Sequence, residues 1–388
     1  MLKKRRKVLK TMMYTFVLLG FIICESKIIF AFAPIGQLKP QLKEIRVKNL
    51  KISMPALSPD GQKIAFINFA SAKAPTLKEP LPGPAKGNLW LVDLVRDRLI
   101  KLSNRIILDD EPNISWSPNS KSVVFGSKGE IWIADAKTKK NTQIQEPNRN
   151  RIKAYPGYYE NYFHSPVWSP KGEIIAIRNV NDIWLFNLFS KSYEKIYSPP
   201  KELRGKTNIW SLPLIVWSND CHKLAFDQLK LVLPPGKKRE QLIEGISFLE
   251  IDKKVTQTII GVNENIEYYP LFSPDNNFVA FFSRKDWDSP PTIFINDLRI
   301  NKSIKIAECE DEGHMLSWSE NGSKLYFGTK KALWVVKVKE VAKPTIEKKI
   351  TVKGVSDLSD VFWLPKGDTL YFLKPVESGK YLLGILKL

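Results

Sequence analysis

A ten-residue pattern recurs seven times in this chain, and it limits the possible folds more than any other feature of the sequence. Its form is an apolar or aromatic residue, Ser, Pro, a polar residue, often Gly, and then an alternating apolar run. LSPDGQKIAF begins at Leu57, WSPNSKSVVF at Trp116 and WSPKGEIIAI at Trp168. Degenerate copies are WSNDCHKLAF from Trp217, FSPDNNFVAF from Phe272, WSENGSKLYF from Trp318 and WLPKGDTLYF from Trp363. The mean spacing, about 51 residues, is that of one supersecondary unit repeated around a closed array.

The chemistry of each copy specifies strands on either side of a tight turn. Pro presets φ, Asp or Asn bonds the local backbone, and Gly accepts a positive φ. A third strand follows each copy: NLWLVDL, EIWIADA, DIWLFNL, GISFLEI, TIFINDL, ALWVVKV and YLLGILKL. A fourth, more polar strand comes next, such as RLIKLS or KSIKIAE, except after the last copy, which ends on its third strand. Four-stranded units of this length predict an all-β, seven-bladed β-propeller, with a six-bladed ring as the alternative. IRVKNLKI (Ile45–Ile52) precedes the first copy as a strand without a blade. Pairing residues 45–52 with the C-terminal blade would close the ring and remove both free edges, which favours seven blades.

At these residues the chain resembles the TolB-like propeller family, whose blades carry a W-S-P-D-G turn of this kind. The resemblance covers roughly residues 45–388 and implies a propeller used mainly for binding, within which the six-bladed alternative falls. The α/β domain that precedes the ring in TolB itself is not expected here, nor is a role in that envelope system. Related propellers cap serine peptidases, but no Gly-x-Ser-x-Gly signature is present.

The N-terminus reads as an export address. Lys3, Lys4, Arg5, Arg6 and Lys7 precede an apolar stretch from Thr11 to Cys24, and Ala31-Phe32-Ala33 has the form of a cleavage site. Pro34 would follow the cut and is a poor fit to a peptidase. Residues 1–33 are therefore either a cleaved signal peptide or an uncleaved anchor through residues 11–33. Residues 34–44 are expected to be a linker and 45–388 the propeller, exported to the periplasm or beyond as a monomeric domain.

The formal net charge is +20, and after residue 33 there remain 53 basic and 39 acidic residues. Much of the surplus falls in the turns after each third strand, at Arg96, Arg98, Lys139, Lys140, Lys191, Lys253, Lys254 and Arg299. A solvated basic rim and a surface for an anionic partner are both open readings. No nucleic-acid-binding module is visible. Cys221 and Cys309 fall at opposite ends of the ring in the repeat register, so neither a disulfide nor a cysteine metal site is expected.

The repeat register also separates two faces. The turns within the strand pairs share the lower end and are short. The upper end carries the long insertions, residues 71–87, 146–164, 198–213 and 231–244, which makes it the expected functional face. Nine tryptophans fall in two repeat columns and read as blade packing. Trp210 and Trp287 are out of register in upper loops, as are Tyr155, Tyr158, Tyr159, Tyr162, Tyr268 and Tyr269. Such aromatics either line a protein- or sugar-binding surface or pack beneath their own loops.

His164 and His314 stand five residues before the motif serine, in blades 3 and 6, and Tyr268 holds the same place in blade 5. Tyr159, Tyr162, His164, Trp210, Tyr268, Trp287 and His314 are thus the candidate ligand-binding residues. No catalytic constellation, cofactor site or metal site is expected. The sequence supports a non-catalytic binding module that captures an envelope protein or glycan. The alternative is a metal-assisted, lyase-like enzyme on an anionic polysaccharide using the two histidines.

Overall fold

The computed structural model describes residues 35–38, 41–47, 52–69, 86–105, 107–108, 114–144, 153–155, 158–159, 164–179, 182–199, 201, 215–232, 241–259, 265–286, 288–310, 313–329, 332–338, 345–352, 361–377 and 380–387. Among them the regular structure is entirely β, arranged as a seven-bladed propeller. Blade 1 is Ser53–Leu57, Lys63–Phe69, Lys86–Asp93 and Arg98–Lys101, and blade 2 is Ile114–Trp116, Ser122–Ser127, Glu130–Asp135 and Asn141–Gln143. Blade 3 is His164–Trp168, Ile174–Arg178, Ile183–Asn187 and Tyr193–Tyr197, and blade 4 is Ile215–Trp217, Lys223–Val232, Gln241–Glu250 and Val255–Ile259. Blade 5 is Ile266–Phe272, Phe278–Arg284, Thr292–Asp297 and Lys302–Glu308, and blade 6 is Gly313–Trp318, Lys324–Thr329, Leu333–Lys337 and Thr345–Val352. Blade 7 takes Phe362–Lys366, Thr369–Glu377 and Lys380–Lys387 from the C-terminal copy and Gln41–Arg46 from the N-terminal side.

The ring is visible in which elements touch. The first strand of every blade contacts the first strands of the blades before and after it, and blade 7 returns to blade 1. Buried apolar side chains fall into seven clusters among the described residues, one per interface between neighbouring blades. Each blade is therefore apolar on both faces, which is why the sequence packs apolar residues so densely along its second and third strands.

The closing strand lies earlier than the alternating pattern predicts. Gln41–Arg46 pairs antiparallel with Lys380–Lys387, from Gln41 opposite Ile385 to Arg46 opposite Lys380, and neither Val47 nor Ile52 is part of it. The apolar spacing continues past the strand because Val47 and Ile52 are buried between blades 7 and 1. There the Ile52 amide donates to the Tyr381 hydroxyl at 2.7 Å. The expected linker, residues 34–44, is also corrected. Besides the start of the closing strand it holds Ile35–Leu38, which adds to blade 6 in parallel with Thr345–Val352.

The recurring turn explains its own sequence. The motif serine is buried in blades 1 to 6. Its Oγ accepts the amide five residues on, as for Lys63 to Ser58 and Lys223 to Ser218, at 2.9 and 2.8 Å. The same hydroxyl donates to the Asp or Asn two residues on, at Asp60, Asn119, Asp220, Asp275 and Asn321. The residue three after the serine has positive φ in all seven turns, as Gly61, Ser120, Gly172, Cys221, Asn276, Gly322 and Gly367. Ser120 and Asn276 use their side chains to accept amides of the preceding blade's turn, from Asp60 and Asn219. In blade 7 Leu364 replaces the serine and packs into the closing interface instead.

Tryptophan supplies a second link between blades. Trp116 Nε1 donates to the Ala56 carbonyl at 2.9 Å, Trp217 Nε1 to Val167 at 3.1 Å and Trp318 Nε1 to Leu271 at 3.4 Å. Each acceptor precedes the equivalent column position in the preceding blade, so one indole in the first strand both fills the interface and fixes its register. Trp168 bonds its own turn at Gly172 instead.

Two predictions follow from this packing. Gly384 faces Phe372 across the last blade, and a Cβ there would lie 2.0 Å from the ring. Gly384→Ala should destabilise the protein by about 1–3 kcal/mol through overpacking, read as a lower urea midpoint. The Asp60, Asp220 and Asp275 carboxyls are drawn upward by burial. The serine hydroxyl and neighbouring amide donors outweigh this and hold them below the ordinary 3.8. Their ionised form therefore supports the fold above the ordinary aspartate range, and that support is lost as pH falls through the lowered values. Asn already fills this place in blades 2 and 6, so Asp60→Asn with Asp220→Asn and Asp275→Asn should flatten the acid limb of a stability–pH profile.

Candidate functional site

Short turns occupy the lower end, where the amide after each third strand bonds the carbonyl before each second strand. Leu94 to Gln62, Leu188 to Glu173 and Leu298 to Asn277 show the pattern, at 2.8–3.0 Å. The upper end is where the first strands begin, and there the ladders are interrupted. Register breaks fall between Ser53 and Ala56, His164 and Val167, Tyr268 and Leu271, and Gly313 and Met315. In the first three breaks, a residue other than glycine has positive φ: Met54 at 46°, Ser165 at 50° and Tyr269 at 56°. Bulges of this kind re-aim side chains at the rims of closed β structures, and each left-handed residue carries a strain of about 1–3 kcal/mol.

The bulge in blade 5 divides its two tyrosines. Tyr268 does not lie in an upper loop as its sequence position suggested. It sits in the first strand, buried, stacked on Phe282 with centroids 5.5 Å apart and with the Arg284 guanidinium 4.7 Å over its ring. Tyr269, also a strand residue, is the one turned outward, with 43% of its surface exposed. Its ring meets Tyr268 edge-on at 5.3 Å. Burial of the hydroxyl and the negative charge of Asp227 push the Tyr269 pKa up against the opposing pull of Arg284, so the phenol stays neutral and can donate.

His164 opens the first strand of blade 3 and pairs with Arg178 at the end of the second. Arg178 Nη1 donates to the Asp227 carbonyl of blade 4 at 2.8 Å. Burial of the guanidinium lowers its pKa, while the neighbouring Asp227 and Tyr197 work in the other direction. Tyr197, whose own pKa is raised by burial, donates to Gln228 Oε1 at 2.6 Å, and Gln228 Nε2 donates to Ser247. Blades 3 and 4 thus share a polar network at their upper edge, and the half-exposed Tyr269 of blade 5, near Arg284, lies within electrostatic reach of its Asp227.

This network was missed among the candidate residues, although the repeat contains a signal for it. The position nine after the motif residue reads Ile67, Gly126, Arg178, Asp227, Phe282, Gly328 and Leu373. Two opposite charges on consecutive blades interrupt a column of apolar residues and glycine. Of the residues singled out from sequence, the structure brings His164, Tyr268 and the neighbouring Tyr269 to this edge, while His314 lies at the break in blade 6. The side chains of His164 and His314 lie outside the described residues. Tyr159 belongs to a small hairpin, Lys153–Tyr155 with Tyr158–Tyr159, whose side chains are likewise outside them. Tyr162, Trp210 and Trp287 are outside the described residues altogether. Among the described residues no group of three or more His, Cys, Asp or Glu is placed to hold a metal.

No protein-family model matches the sequence, and no curated protein matches it significantly. Solved structures do match the fold. A structure of Kuenenia stuttgartiensis hydrazine synthase superposes with a TM-score of 0.53 at 11% identity, covering 95% of this chain and 99% of that one. The β-propeller domain of the Trilobed protease from Pyrococcus furiosus, which has an open velcro topology, gives 0.52 at 14% identity, covering 87% and 94%. Oligogalacturonate lyase from Vibrio parahaemolyticus gives 0.53 at 9% identity, covering 90% and 97%. At these identities the likeness is one of fold alone, and their differing names show how little a propeller fixes chemistry.

A test of the network follows. Arg178→Met should cost about 3–5 kcal/mol, because the polar groups gathered around the guanidinium lose their partner. Adding Asp227→Asn should recover part of that loss in a double-mutant cycle by urea unfolding, whereas two independent sites would add.

Proposed function

We propose that this chain is an exported, non-catalytic binding propeller whose upper mouth across blades 3 to 5 captures an envelope protein or glycan bearing anionic groups. One observation carries the reading: Tyr269, a partly exposed aromatic at a bulge of blade 5, lies within electrostatic reach of Asp227 and Arg284, beside the half-buried polar network of Arg178. An outward aromatic ring with a neutral hydroxyl donor beside guanidinium groups suits carboxylate-bearing ligands, by stacking and by donated hydrogen bonds. Tyr159, Tyr162, Trp210 and Trp287, in or beside the upper insertions, would extend the same surface, and His164 and His314 would line it.

The wider setting belongs to the same proposal. The resemblance of the W-S-P-D-G turns to TolB-like propellers supports a binding role, and the basic and apolar N-terminal residues support export. Nothing in the reading requires a cofactor.

The test is cross-linked capture from the native envelope by the full-length chain, in parallel with Tyr269→Ala and with Trp210→Ala plus Trp287→Ala. Tyr269→Ala loses the edge-on contacts with Tyr268 and Phe282, so its folded fraction is checked by urea unfolding, and the folded protein should show capture weakened about thirtyfold, the scale of an aromatic hot spot. Identical capture by all three proteins would dispose of the upper mouth as the binding surface.

A further inference from the structure

The lower rim carries a second surface, independent of the upper mouth. At the end of the third strand in blades 1, 2 and 3, Asp93, Asp135 and Asn187 each accept two amides of the following turn with one side-chain oxygen. This clamp holds the residue two positions on away from the blade. That residue is Val95 in blade 1, Lys137 in blade 2 and Phe189 in blade 3. Val95 is 69% exposed and Phe189 95% exposed, values unusual for apolar side chains that a short turn could tuck inward.

The charges around them are unequal. Asp93 and Asp135 are occupied by their own turns, and Asp97 pairs with Lys43 of the closing strand at 3.5 Å. Arg98, Lys139, Lys140 and Lys191 make no ion pair among the described residues, while Lys137 acts electrostatically on Asp135 of its own turn. Lys139 and Lys191 also occupy the left-handed position of their turns, at φ 63° and 56°, where Gly or Asn would fit without strain. Two protruding apolar residues thus flank an arc of unpaired cations, on turns that hold their geometry without a ligand.

We infer that this arc of the lower rim, across blades 1 to 3, docks on an anionic lipid bilayer. Phe189 and Val95 enter the headgroup boundary, and the lysines meet lipid phosphates while their methylene stems lie along the apolar layer. The match is one of charge and shape: a protein partner would need a defined concave surface for Phe189, while a bilayer admits it anywhere.

The experiment is hydrogen exchange on the full-length chain, reading the turns at 93–98, 135–141 and 187–192. Vesicles of equal parts phosphatidylglycerol and phosphatidylcholine are compared with phosphatidylcholine alone. Protection of all three turns on the anionic vesicles only, lost at high salt, is expected. In a vesicle titration Lys139→Ala or Lys140→Ala should each weaken that protection about fivefold, equivalent to about 1 kcal/mol per basic residue. Phe189→Ser should abolish it while leaving Tm unchanged, since the ring packs on nothing. Equal protection on neutral vesicles, protection on neither, or protection that grows with protein concentration without lipid would overturn the inference, the last by identifying a second copy as the occupant. Because the reading is local to these turns, insertion of residues 11–33 does not imitate it, and the outcome is separate from ligand capture at the upper mouth.

Discussion

A four-stranded sheet that is apolar on both faces cannot stand in water, and every other feature of this protein depends on how that problem is solved. Each blade covers one face with the blade before it and the other with the blade after it, so the seventh must meet the first or leave two apolar faces open. Closure is achieved by Gln41–Arg46, brought from the other end of the chain to complete blade 7. Tyr381, Val47, Ile52 and Leu364 then pack the last interface as completely as the repeat packs the others. The cost is entropic, because residues far apart in sequence must be joined before the final cluster forms. It is offset only when all seven interfaces exist together, so blade number and closure are a single constraint.

The same constraint decides where chemistry can reside. Positions between blades are fixed by packing, and the repeated turns at the lower end have hydrogen bonds that leave them little freedom. Variation is admitted at the ends of strands. At the upper end the ladders break and the chain accepts left-handed residues. At the lower end it projects side chains from clamped turns. In both places strain is kept where a glycine or asparagine would remove it, at Tyr269 above and at Lys139 and Lys191 below. The same left-handed places recur in other blades, at Met54 and Ser165 above and at Asp97, Lys254 and Asn301 below, so the backbone conformation belongs to the repeat and the side chain it presents is what varies.

Most of the architecture was legible in the sequence, because a weak turn motif becomes specific when it recurs in register. The buried serine, the Asp or Asn after it, the residue with positive φ and the interfacial tryptophan all follow from the ten-residue pattern. The closing strand was misplaced by four residues for a physical reason. As an outer strand it is polar, with Gln41 to Glu44 exposed, while Val47 and Ile52, which carry part of the alternating apolar signal, are buried beyond it. Tyr268 was misread for a related cause: adjacent tyrosines ahead of a motif look like a loop, and only the bulge shows that one ring is buried and the other is not. Arg178 and Asp227 stand in a repeat column whose other members are apolar or glycine, so the column's pattern signals the interface and not the charges that interrupt it.

Departures from a repeat are therefore the informative positions in a fold of this kind. A residue that agrees with its column is explained by the interface it fills, whatever its chemical character; nine of the eleven tryptophans are of that kind. A residue that breaks its column must be supported by something the other blades lack. Arg178 has the Asp227 carbonyl and the polar groups of Tyr197 and Gln228 nearby, and it could not be buried in blade 2 or blade 6, where glycine holds its place. The network is thus specific to blades 3 and 4 even though the same four-stranded pattern recurs round the ring. This asymmetry gives an otherwise symmetric scaffold one side that differs chemically from the rest.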